Sequence, residues 1–172
     1  MYIPAPDKKA IISCCGDAGY VLYDYWMSKY NEKKYPYTDA NSAKALGWST
    51  RKAKDVRLKL RNHNWFAVKT FKASDGETLT QYYLGYETVI EHLLEKRTKH
   101  KPMPFKKAEK LWLDAGLSAG SKHMNTVLSS NIKKGYIDKD DPYTIAFLKE
   151  EVDRKYPRKK SKSGAITRSL FD

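Results

Sequence analysis

Residues 46–66, LGWSTRKAKDVRLKLRNHNWF, limit the fold more than any other part of the chain. Six Arg or Lys fall within the eleven residues 51–61. At about 100° per residue, Ala53, Val56 and Leu60 lie within about 60° of one another and make an apolar stripe. Arg51, Lys54, Asp55 and Arg61 fall on the opposite arc. Lys52 and Lys59 flank one side, Arg57 borders the stripe, and Leu58 faces outward. Such a helix has to be held to a core by one narrow face while a mostly cationic face stays in water.

The flanking residues supply the setting. Thr38 reads as the N-cap of a short helix, DANSAKAL, that Gly47 ends. Ser49 caps the next helix over about residues 50–63, and Asn64, which tolerates the left-handed conformation, ends it. Phe66, Val68 and Thr70 then share one face of a strand, and Ala67, Lys69 and Phe71 the other. SDGE is a turn signal, and Leu79, Gln81 and Tyr83 continue a return strand. Upstream, residues 19–33 are apolar nearly all round, as in a helix buried on several sides, and Pro36 breaks that pattern. The order helix, helix, turn, helix, hairpin is the winged helix-turn-helix arrangement.

AKALGWSTRKAKDVRLKLRNHNWF resembles the recognition segment of winged helix-turn-helix proteins, both bacterial transcription regulators and phage or plasmid replication initiators. The resemblance covers about residues 17–86. It implies base contacts from Thr50, Arg51, Lys52, Lys54 and Asp55, and wing-tip contacts from Lys72, Ser74 and Gly76. Lys69 and Arg61 add cations for phosphate. Two departures stand out. Arg57 occupies the place of a core leucine, and Leu58 faces outward. Either the helix is rotated slightly, or Leu58 touches a partner or a thymine methyl. Asp75 and Glu77 at the wing tip oppose deep insertion into DNA.

Net charge supports a polyanionic partner. The 172-residue chain carries +13, and unneutralised self-repulsion of that size opposes folding. Nucleic acid is the first candidate and an anionic membrane surface the second. No run of eighteen apolar residues is present, and MYIPAPDKKAIISCC lacks a signal-peptide layout. These features imply a cytoplasmic, nucleoid-associated protein without a membrane span. Cys14 and Cys15 are adjacent, so they cannot staple a loop, and they read as reduced, half-buried residues. His63, His92, His100 and His123 show no metal-ligand spacing, and His63 reads as a helix C-cap. With no glycine-rich phosphate loop either, the expectation is a non-enzymatic protein without metal or cofactor.

Residues 87–104 form a helix and a basic, proline-containing linker. Val89, Ile90, Leu93 and Leu94 make a stripe over residues 87–97 that packs back on the first domain or pairs with a second copy. Residues 105–156 read as a smaller helical module of three helices, the last with an Asp141 cap and Pro142 in its first turn. GLSAGSKHMNTVLSSNIKKGYI echoes the opening segment, aligning Val127 with Val56 and Gly135-Tyr136-Ile137 with Asn64-Trp65-Phe66. That is a possible second helix-turn-helix, here without a wing. Residues 157–172 are a basic tail, in which Arg158, Lys159, Lys160 and Lys162 offer phosphate contacts. Its Ser169, Leu170 and Phe171 resemble the end of the peptide by which replication proteins dock on a sliding clamp, although the leading Gln is absent. A sliding clamp or another replisome or polymerase protein is the partner so implied.

The expectation is therefore a mainly α protein with a β-hairpin wing. An N-terminal winged helix-turn-helix (residues 1–86) precedes the helical C-terminal module and the basic tail. The expected function is sequence-selective binding of double-stranded DNA, as a replication initiator or transcription regulator of a phage- or plasmid-type element. The alternative is an adaptor that binds protein through the winged domain and the linker helix.

Overall fold

Helix α1 (Ala5–Lys29) follows Pro4 and has a proline in its first turn, where a missing N–H costs no hydrogen bond. The computed structural model describes residues 3–30, 37–98 and 101–156. Patterning places the start of this helix at residue 19, yet it begins at Ala5. Gly16 explains the difference. With φ 77° and ψ 176° it interrupts the helix as a single-residue kink, and the segment before it is helical because Ala10, Ile11 and Cys15 face the core. The expected break at Pro36 lies outside the described residues.

The next elements follow their local signals. Thr38 accepts a hydrogen bond from the Asn41 N–H at 3.2 Å and starts α2 (Asp39–Leu46). Gly47, at φ 65°, ends α2 in the left-handed region. Ser49 accepts from the Lys52 N–H at 3.2 Å and starts α3 (Thr50–Asn62). Among the described residues Asn64, at φ 60°, is the one non-glycine with positive φ, and it turns the chain into the hairpin. Strands β1 (Phe66–Lys72) and β2 (Thr78–Leu84) pair antiparallel, from Phe66 opposite Leu84 to Lys72 opposite Thr78.

Helix α4 (Tyr86–Thr98) lies directly after the hairpin. Its Val89, Ile90 and Leu94 are buried, and Leu93 is half-buried. A dimer through residues 87–97 therefore has no free apolar stripe to form on. The helix packs back on its own chain, with Tyr86 edge-on to Trp65 and His92 stacked on Tyr83.

Three more helices follow: α5 (Phe105–Asp114), α6 (Lys122–Lys133) and α7 (Pro142–Lys155). Asp141 caps α7 as expected, through Tyr143 N–H at 2.9 Å, and also accepts from Phe105 N–H at 3.0 Å. One cluster of buried apolar residues runs from Ile3 through Trp26, Trp65 and Trp112 to Ile137. The echo seen in the sequence has a structural counterpart. Tyr136 N–H bonds the Asn131 carbonyl as Trp65 N–H bonds that of Leu60, at 3.0 and 2.8 Å. Gly135, at φ 74°, matches Asn64. The cap of α6 is Ser121, beyond the Ser118 of the matching triplet, because the turn is longer. Gly116 within that turn has φ 80°, and a Cβ there would lie 2.8 Å from the Ala10 carbonyl oxygen. In place of a second hairpin, Met103 and Ile137 form a parallel bridge.

Candidate nucleic-acid interface

The amphipathic reading of α3 holds residue by residue. Ala53, Val56 and Leu60 are buried. Thr50, Arg51, Lys52, Lys54, Asp55, Lys59 and Arg61 are exposed. The first two turns of α3 thus expose three cations, one hydroxyl and one carboxylate to solvent. Leu58 is half-buried, which corrects the expectation of a fully outward leucine.

Arg57, the odd residue of the sequence pattern, is engaged within the protein. Its Nε and Nη2 donate to Asp39 Oδ1 and Oδ2 at 2.6 and 3.1 Å. Both side chains are about four-fifths covered. The fork-to-fork pair ties α3 to the first residue of α2 and fixes the angle between them. Asp39 also sits in the first turn of α2, where a negative charge suits the helix dipole. Trp48, in the turn between the two helices, was not singled out by sequence reasoning. Its ring lies under Lys52 Nζ at 4.4 Å and restrains that side chain. The LGWS stretch carried the signal: a large aromatic beside a helix N-cap has a neighbouring lysine within reach.

Compared with protein-family models, curated proteins and solved structures, the chain matches none of them.

The hairpin is an arm more than a lid on the core. Phe66 and Leu84 at its base are buried, but Val68, Phe71 and Leu79 are each exposed by more than two-fifths. Lys69, Lys72, Ser74 and Gly76 are all exposed, with Lys69 Nζ over the Phe71 ring at 5.9 Å. At the tip, Asp75 Oδ1 accepts from the Glu77 N–H at 3.0 Å, and Gly76 takes φ 88°. The Asp75 carboxylate thus shapes the turn as well as adding a negative charge there.

The far end of α3 is fastened to α5. His63 Nδ1 pairs with the Asp114 carbonyl at 2.6 Å, so this C-cap residue also bridges two helices. Asn64 Nδ2 donates to the Leu111 carbonyl at 2.9 Å, and Trp65 Nε1 to that of Ala115 at 3.0 Å. Cys14 and Cys15 are free thiols at the same junction, with Cys14 Sγ 3.8 Å from the Ala115 carbonyl oxygen. The hydrogen bond from Cys15 holds the Cys14 thiol down at about 7, against the effect of burial, and nearby His63 acts in the same sense. The same bond pushes Cys15 up.

A recess of about 930 Å³ is lined in part by Asp7, Tyr23, Tyr86, Glu87 and His123. Burial raises the Asp7 carboxyl, with His123 opposing, and His123 Nε2 pairs with Glu87 at 2.5 Å. Its two carboxylates make it a poor seat for phosphate, and it is not assigned to the interface. Among the described residues no group of three or more His, Cys, Asp or Glu is arranged to hold a metal, and no helix is long and apolar enough to cross a membrane. The tail contacts at Arg158, Lys159, Lys160 and Lys162, and the clamp-like Ser169, Leu170 and Phe171, lie outside the described residues.

Proposed function

We propose that the protein binds double-stranded DNA with sequence selectivity, as a winged helix-turn-helix. The first turns of α3 enter the major groove and the β1–β2 hairpin follows the backbone. One observation carries the reading: α3 is anchored by three buried apolar residues and an Arg57–Asp39 pair, which leaves Arg51, Lys52 and Lys54 together at its exposed N-terminal end. Arg51 is assigned to a guanine edge, Lys52, Lys54 and Arg61 to phosphates, and Lys69 and Lys72 to the backbone beside the hairpin. Such a protein serves as a replication initiator or transcription regulator of a phage- or plasmid-type element.

Salt titration tests the reading. With about six phosphates neutralised, duplex affinity falls about a thousandfold between about 50 and 200 mM salt. A flat response, or no duplex binding, overturns it. The exposed Val68, Phe71 and Leu79 of the hairpin favour a second reading, an adaptor that docks on protein through this arm. Helix α4 offers such a partner little apolar surface, since Val89, Ile90 and Leu94 are in the core.

A further inference from the structure

Helix α7 is held to the rest of the chain by one side only. Thr144 is its buried residue, and Phe147 and Glu151, on the same side, are half-buried. Its other face carries Ile145, Leu148 and Val152, exposed by 44, 37 and 57 %, and Tyr156 follows just past its end at 75 %. At about 100° per residue these four share one stripe, which adjoins the side that carries Thr144 and Phe147. Ile145, Leu148, Lys149, Val152 and Asp153 outline a shallow recess of about 570 Å³ along it. A contiguous apolar face rimmed by charge marks a surface that another molecule covers.

The charges say which molecule. Helix α7 carries three acids (Glu150, Glu151, Asp153) and three bases (Lys149, Arg154, Lys155), so it is neutral in a chain of net +13. Two copies meeting there add little local repulsion. The edge of the stripe is also self-complementary. Lys149 and Asp153 border it one turn apart, with opposite signs. In an antiparallel pairing centred near Glu150 and Glu151, Ile145 lies opposite Tyr156 of the second copy, Leu148 packs beside Val152, and Lys149 comes within reach of Asp153. The two-fold axis makes every one of these contacts twice.

We propose that α7 is the homodimer interface of this protein, formed by antiparallel packing of Ile145, Leu148, Val152 and Tyr156 against a second copy. The inference stands apart from the DNA-binding reading and is tested without DNA. If both hold, the dimer presents two α3 helices related by a two-fold axis, and the preferred duplex is an inverted repeat.

Sedimentation velocity on the full chain, from about 1 to 100 µM, measures the pairing. The expected result is a concentration-dependent dimer. Leu148→Glu leaves a monomer whose circular dichroism is unchanged, since the residue lies on the outer face. Lys149→Asp and Asp153→Lys each weaken the dimer about tenfold, because each sets like charges against each other at both symmetric contacts. Lys149→Asp combined with Asp153→Lys restores the dimer. A wild-type chain that stays monomeric overturns the proposal. So does a dimer indifferent to Leu148→Glu, which forms elsewhere, or a double variant no tighter than the single ones.

Discussion

Arg57 and Asp39 lie 18 residues apart in sequence and share two hydrogen bonds, at 2.6 and 3.1 Å. The pair stands at the border of the apolar stripe of α3, and it sets α3 against α2. Removing either partner leaves the other charge mostly covered and unpaired. Arg57→Ala and Asp39→Ala are each expected to lower stability by about 1–3 kcal/mol, measured by urea unfolding. A double-mutant cycle should give a coupling of at least about 1 kcal/mol. Additive effects would show that the pair does not set the geometry.

Arg51 and Lys72 should separate specific from general contacts. Arg51→Ala is expected to relax sequence preference by about 1–3 kcal/mol at one base position, read by selection from a random duplex pool. Lys72→Ala should weaken all duplexes alike and reduce the salt slope by about one. Uniform loss in both variants would make Arg51 a phosphate contact.

Trp48 positions Lys52 with its ring. Trp48→Ala should weaken duplex binding a few-fold, in line with about 0.5–1 kcal/mol for an exposed cation–π contact. Lys52→Ala in the Trp48→Ala background should then cost less than it does alone. Equal costs in the two backgrounds would show that the ring contributes nothing to binding through Lys52.

Trp65 couples the two halves of the chain. Trp65→Phe keeps most of the ring volume but leaves the buried Ala115 carbonyl without its 3.0 Å donor. A loss of about 1–3 kcal/mol is expected. Because the turn after α3 bonds to Leu111 and Ala115 and the two halves share one apolar cluster, calorimetry of the wild-type chain should show a single transition. Two separate transitions would mean that the halves unfold independently.

Cys14 is half-buried and its thiol is held at about 7. Only the thiolate is nucleophilic, so alkylation of Cys14 in the folded protein should rise with pH around a midpoint near 7. Cys15, buried and shifted upward, should stay unmodified until the protein unfolds. Peptide mass mapping after iodoacetamide treatment at several pH values distinguishes the two sites. Equal labelling of both would contradict the arrangement.

What the sequence determined by itself is local. Thr38, Ser49 and Asp141 act as caps because each bonds an N–H within three residues of itself. Gly47 and Asn64 mark helix ends because few residues tolerate positive φ. The stripe Ala53, Val56, Leu60 was legible because a regular helix repeats every few residues, and the exposed face of α3 followed from it. Tertiary structure alone decided what those faces meet. It gave Arg57 to Asp39, tied His63 to Asp114 across 51 residues of chain, and covered the stripe of α4 while leaving that of α7 open. It also carried α1 through the kink at Gly16, since the apolar residues on the near side had a core to reach. Periodicity reports that a helix has an apolar face. Which element covers that face depends on contacts between residues far apart in sequence, and no short window of the chain contains them.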